Sequence, residues 1–223
     1  DRAGIQLNPL PNTRSEVEEI SKILSSKKYK NTKYLGENAS ELTLKKLNNP
    51  TVLHLATHGY FLKDIELKEN SKALGENKSR FNENPLLRSM LFFSGAKKSL
   101  KSTNITSELK HQDGILTAYE VQNLNLHHTE LVVLAACETG LGEIKNGEGV
   151  YGLQRSFIQA GAKSIIMSLW QANDKATKEL MVNFYKEWLN GKSKCEAFSL
   201  AKKQVRQKYR YPIFWGAYIM IGE

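Results

Sequence analysis

Two near-continuous apolar runs, LVVLAA at 131–136 and KSIIMSLW at 163–170, bracket the segment GEGVYGLQRSFIQAGA at 147–162. Few folds accommodate that arrangement. A run without polar alternation belongs to a strand covered on both faces, as in parallel sheets flanked by helices. The intervening segment has the length of a crossover helix. TVLHLAT (51–57), SMLFF (89–93) and WGAYIMIG (215–222) are further β-like runs of this kind. Helical spacing places Val17, Ile20 and Leu24 on one face of NTRSEVEEISKILSS (12–26), and Ser40 leads the short helix SELTLKKL. In NDKATKELMVNFYKEWLNG (173–191), Ala176, Leu180, Phe184 and Trp188 recur four apart and Gly191 closes the helix. SKCEAFSLAKKQV sets Cys195, Phe198, Ala201 or Lys202, and Val205 along one face. The expected architecture is a doubly wound α/β fold, a single domain over residues 1–223 with one substantial core.

Several function classes drop out. No apolar run reaches the ~18–20 residues that span a bilayer, and the opening DRAGIQLNPLPN has neither Met nor the apolar stretch of a signal peptide. It reads as a cut from a longer chain. Cys137 and Cys195 form no disulfide framework or CxxC pair, which fits a reducing, cytoplasmic setting. The net charge of +9 comes from lysines scattered over helices and loops, without the Arg–aromatic interleaving that grips nucleic acid. A solvated basic surface is expected, with an acidic partner surface as the alternative. Residues 62–113 contain a long Lys/Asn/Ser-rich insertion, readable as a lid, a cleavage site, a regulatory segment or a tolerated surface loop.

The chemistry gathers where strands end. Sites in open α/β sheets form beyond the carboxyl ends of the strands. TVLHLAT runs into His58-Gly59 and LVVLAA runs into Cys137. An imidazole is the usual base for a thiol, and the two need be neighbours only in the fold. Gly59 permits close backbone approach, so its N–H and that of Cys137 are candidate oxyanion donors. A strand-end cysteine is equally a common packing residue.

VLHLATHGYF, the ACETGLG loop, the block GEGVYGLQRSFIQAGAKSIIMSLW and the closing FWGAYIMIGE together resemble a CHAT domain. NPLLRSMLFFSGA and DGILTAYEVQNLNL resemble its characteristic segments as well. That family is related to caspases and separases and is often found behind tetratricopeptide repeats in bacteria. The likeness runs from about Ile20 to Glu223, with Ala136 where the motif often carries Ser. It implies a caspase-like three-layer α/β sandwich with a mostly parallel central sheet. It also implies a His58–Cys137 dyad that cleaves a protein substrate without cofactor or metal, switched by a regulatory partner or an upstream repeat domain. In separases the segment matching SLWQANDKAT supplies an acid for a basic P1 side chain, so Asp174 resembles that acid. A carboxylate there would pair with Arg or Lys. Asn173 or Asp174 is also an ordinary helix N-cap. A catalytically silent CHAT-like scaffold is the alternative function.

Other constellations read more plainly. His54 and His58 mimic a zinc pair, but four strand residues span roughly 13 Å, so His54 is expected to be a hydrogen-bonded core residue or a support for the site. His127 and His128 are expected in solvent. GLGEIKNGEG lacks the P-loop ending, and Glu143 and Glu148 would repel phosphate. Glu138 reads as a local cap or ion pair. Asp113 starts a turn and is a weaker candidate acid. Cys195 is expected in the core, as are Trp188 and Trp215, while Trp170 is a candidate wall of the substrate pocket. A basic P1 preference would make Lys63, Lys68, Lys72, Lys78 and Arg80 candidates for self-cleavage.

Overall fold

Four strands, numbered along the chain, build the central sheet in the order β1 (Val52–Leu55), β5 (Leu131–Leu134), β6 (Ser164–Ser168) and β7 (Tyr218–Gly222). They belong to a computed structural model that describes residues 5–62, 85–101, 112–135 and 151–222. β1, β5 and β6 run parallel, and β7 closes the edge antiparallel to β6. The LVVL run explains itself. Leu131 and Val133 enter one core with Ile166, while Val132 and Leu134 enter a second with Ile165 and Met167. All four β5 side chains are 0% exposed.

The first core is closed by α1 (Thr13–Ser26), α6 (Asp174–Leu189) and α7 (Lys194–Lys208) through Ile20, Leu180, Phe184, Phe198 and Val205. The second is closed by α2 (Glu41–Lys45), α4 (Ala118–Val121) and α5 (Tyr151–Gln159) through Leu44, Val121, Leu153 and Phe157. A small antiparallel sheet of β2 (His58–Phe61), β3 (Ser89–Phe92) and β4 (Ile115–Thr117) joins that layer through Leu91 and Leu116, and α3 (Ala96–Lys101) packs Ala96 on its other face. The fold is therefore a mixed α/β sandwich of the caspase-like kind, with a mostly parallel central sheet. No described helix is long and apolar enough to cross a membrane.

Local chemistry sets the element ends. Ser40 accepts from Thr43 N–H to start α2, and Ser193 and Glu196 form a capping box at α7. Gly191 takes φ +95° after α6. Gly161 takes φ +112° where α5 turns into β6, and a Cβ there would lie 2.7 Å from the backbone of His127. Gly161→Ala is expected to cost about 1–3 kcal/mol in backbone strain alone, read as a lower urea midpoint with unchanged helix content. Asp113 Oδ1 accepts from Ile115 N–H at 2.8 Å, which gives it the turn role. Glu41 ties α2 to its neighbours by accepting from Gly114 N–H and from Lys45, which also reaches Glu120. Burial pushes the Glu41 carboxyl above its usual range despite those donors.

Three expectations need correction. TVLHLAT does not run unbroken into His58: pairing stops after Leu55, and His58 opens β2 in the other sheet. SMLFF and WGAYIMIG are antiparallel strands. β3 lost its alternation because both faces of the small sheet are covered, Leu91 facing the second core and Met90 and Phe92 a third with Ile115. Cys195 is exposed, because α7 buries Ala197, Phe198, Ala201 and Val205 and its first turn points Cys195 away from them.

Candidate active site

His58 stands at the junction of the two sheets, three residues beyond the end of β1 and opposite Phe92 in the small sheet. Its ring is half-buried and its Nε2 lies 2.6 Å from the backbone oxygen of Asn8. A carbonyl can only accept, so Nε2 carries a proton, and in the neutral tautomer this leaves the lone pair on Nδ1. The preceding Thr57 hydroxyl donates to Phe92 O, which fixes the backbone entering the histidine.

Asn8 belongs to a segment that links the two halves of the fold. Ile5 and Leu7 pack on the Met90–Phe92–Ile115 cluster. Further on, Asn12 donates to Asp174 Oδ2 from its backbone N–H at 2.9 Å and from Nδ2 at 2.7 Å, and α1 begins at the next residue. Asp174 is the first residue of α6. The cap itself is Asn173, whose Oδ1 accepts from Ala176 N–H at 3.0 Å. The sequence left that role open between the two residues, and the structure frees the Asp174 carboxylate from it.

These elements enclose an open cavity of about 550 Å³, lined among others by Asn8, His58, Gly59, Ala172, Asp174 and Ile213. Three sequence candidates, His58, Gly59 and Asp174, thus share one cleft. Trp170 is half-buried beside it, packing its ring towards Gly216, and its neighbours Gln171 and Ala172 form the wall. Cys137 lies outside the described residues, as do Glu138, Glu143, Glu148, the GLGEIKNGEG loop and the five basic residues from Lys63 to Arg80. The last described residue of the β5 run is Ala135.

A polar network surrounds His54. His54 Nε2 lies 2.8 Å from Glu16 Oε1, and Nδ1 lies 3.2 Å from the Tyr185 hydroxyl. Glu16 is 1% exposed, and its Oε2 has no partner among the described residues. A carboxylate accepts, so His54 donates through Nε2, and with the ring neutral the Tyr185 hydroxyl donates to Nδ1. Burial, and next the charge of Glu16, push the Tyr185 phenol well above its usual range. His54 is therefore engaged at both nitrogens, and the described residues hold no group of three His, Cys, Asp or Glu side chains placed to bind a metal. His127 and His128 are exposed.

Neither Asn8 nor Glu16 was marked by the sequence. A backbone carbonyl has no residue signature, and Glu16 sits in SEVEE, which reads as a solvated face.

A family model described as CHAT domain matches residues 1–223, the whole chain. The chain is 33% identical over 113 residues to human "Tetratricopeptide repeat protein 28", covering 50% of this chain and 4% of that protein. It is 25% identical over 219 residues to the mouse protein of the same name, covering 96% of this chain and 9% of that protein. The chain thus spans less than a tenth of the length of these relatives.

Proposed function

The chain belongs to the CHAT-domain family, and from that premise we propose that it is a cysteine endopeptidase in which Cys137 is the nucleophile and His58 its base. The observation that carries the proposal is a register. Leu55 and Leu134 are paired in neighbouring parallel strands, and along the sequence His58 comes three residues after Leu55 and Cys137 three residues after Leu134. Sites of open α/β sheets form beyond the carboxyl ends of the parallel strands, and in the sequence both residues come directly after such an end.

In this reading Nδ1 of His58 takes the thiol proton. The Cys137 thiolate attacks a peptide carbonyl, and the N–H groups of Gly59 and Cys137 receive the oxyanion. His58 then passes the proton to the leaving amine, and water releases the acyl group. Asn8 O supplies what no acidic side chain does among the described residues: an acceptor that fixes the tautomer of the base. Asp174 keeps Oδ1 for a basic P1 side chain, while Oδ2 serves Asn12.

A silent interaction domain is the second reading. It is favoured by the prior engagement of Asp174 by Asn12 and by relatives named for tetratricopeptide repeats, which point to a protein-interaction context. A regulatory partner or a repeat domain fits either reading.

A peptide library varied at P1, run with Cys137→Ala and His58→Ala controls, separates them. Cleavage after Arg or Lys that both controls lose supports the dyad. Asp174→Asn should then reduce kcat/KM for basic P1 by about 10–100-fold, the value of one charge-assisted hydrogen bond. Cleavage after other residues removes Asp174 from the pocket. Absence of cleavage, together with no labelling of Cys137 by an electrophilic thiol probe, puts the silent domain first.

A further inference from the structure

His58 is approached from two sides. Its own chain carries His54 four residues earlier, on β1. Its acceptor, Asn8, is carried on the segment that leads into α1, where Glu16 occupies the first turn. The hydrogen bond between Glu16 and His54 joins these two carriers. A loop of contacts therefore closes on itself: His54 along the chain to His58, across to Asn8 O, along the chain to Glu16, and back to His54.

We infer that Glu16 and His54 are positioning residues for His58, holding α1 in the one register that brings Asn8 O to the imidazole. The inference rests on His58 being the base of the proposed dyad.

Three features support it. A buried carboxylate is expensive when half its acceptor capacity is unmet, and Glu16 Oε2 has no partner among the described residues. Packing α1 against the sheet needs no such group, because Ile20 serves that purpose one turn later. Next, Glu16 N–H donates to Asn12 O at 2.8 Å, so the same turn that holds His54 also holds the residue bonded to Asp174. α1 is thus pinned to β1 and to α6 within its first turn. Finally, the tolerance is small. A slide of α1 by one residue moves the chain about 1.5 Å along the helix axis, and a 2.6 Å hydrogen bond at Asn8 does not survive that.

The side chain of Tyr185 completes the arrangement from α6. Its hydroxyl occupies the second nitrogen of His54, so the ring of His54 cannot turn away from Glu16 without losing both partners.

The test uses the intact chain with 15N-labelled histidine. The ring nitrogens of His58, assigned by their loss in His58→Ala, report which nitrogen carries the proton. The unaltered chain should show the Nε2–H form. In Glu16→Ala the Nδ1–H form should appear, and alkylation of Cys137 by iodoacetamide should slow about tenfold, in keeping with the cost of small misplacements. Glu16→Gln keeps an acceptor for His54 and should restore the Nε2–H form, with a rate within about twofold of the unaltered chain.

A Glu16→Ala chain that is less stable but keeps the His58 tautomer and the alkylation rate overturns the inference, since Glu16 is then merely structural. Should Glu16→Ala not fold, Tyr185→Phe removes one hydroxyl from the same network. A partial rise of the Nδ1–H form would support the inference, and no change would overturn it. A Cys137 that resists alkylation in the unaltered chain sinks the peptidase proposal, and the tautomer measurement still decides the positioning role.

Discussion

Replacement of Cys137 by Ala is expected to remove all peptide cleavage and the fast labelling by an electrophilic probe, leaving only the slow labelling of an unassisted thiol at the exposed Cys195. His58→Ala should leave the thiol in place and slow its alkylation at pH 7 by up to about 30-fold, the ratio between a fully ionised thiol and one that ionises near pH 8.5. The two variants differ in an informative way. An unassisted thiol ionises near pH 8.5, so its thiolate fraction falls about tenfold for each unit below that. Alkylation of His58→Ala should follow that slope from pH 8 down to pH 6, whereas the unaltered chain should stay reactive across the window. Rates measured by mass spectrometry at four or five pH values are sufficient. Parallel slopes for the two proteins would mean that His58 does not serve the thiol. Fast labelling that persists in Cys137→Ala would turn attention to Cys195, which is exposed on the first turn of α7.

Phe184→Ala is expected to destabilise the fold more than any exposed substitution, by about 3–5 kcal/mol. Phe184 is 0% exposed in the core between the sheet, α6 and α7. Its ring centroid lies 5.2 Å from Tyr185 edge-on, 5.6 Å from Trp188 in a stacked arrangement, and 6.2 Å from Phe198 edge-on. Truncation would lose the transfer energy of the ring and leave a cavity walled by three other rings, which relax poorly. Domains are stable by about 5–15 kcal/mol, so the variant should unfold at far lower urea, followed by far-UV circular dichroism. A loss below about 1 kcal/mol would show that Trp188, which is only half-buried, moves in to fill the space. Tyr185 is next in the chain, so the same variant should also loosen the seat of His54.

Legibility in the sequence tracked how many physical demands fell on each residue. β5 and β6 could be read because both their faces are buried, leaving no polar alternation to confuse them. The break between β1 and β2 could not: Ala56 and Thr57 are compatible with a continuous strand, and only the pairing partner changes. The antiparallel β3 was misread because its two faces meet two different cores. At the site, His58, Gly59 and Asp174 were legible as residue types that do chemistry at strand and helix ends, and the fold brings all three to one cleft. Cys195 misled because a spacing of three or four does not say which face is inward. Asn8 contributes only a carbonyl oxygen, which every residue has. Glu16 meets His54 across 38 positions of chain, and nothing local in either segment announces the other.

The placement of His58 outside all three apolar clusters has a bearing on descent. Residues such as Val132 and Leu134 are held by the shape itself, so a lineage that changes them loses the protein. The histidine is held by nothing of the kind. Its ring lines the cleft rather than packing in a core, so its substitution is expected to leave the sheets and helices folded. Lineages built on this plan are therefore free to lose the proposed reaction and retain the cleft as a place to grip another protein. Heredity of the form does not carry heredity of the chemistry with it, and in this chain the histidine is still present.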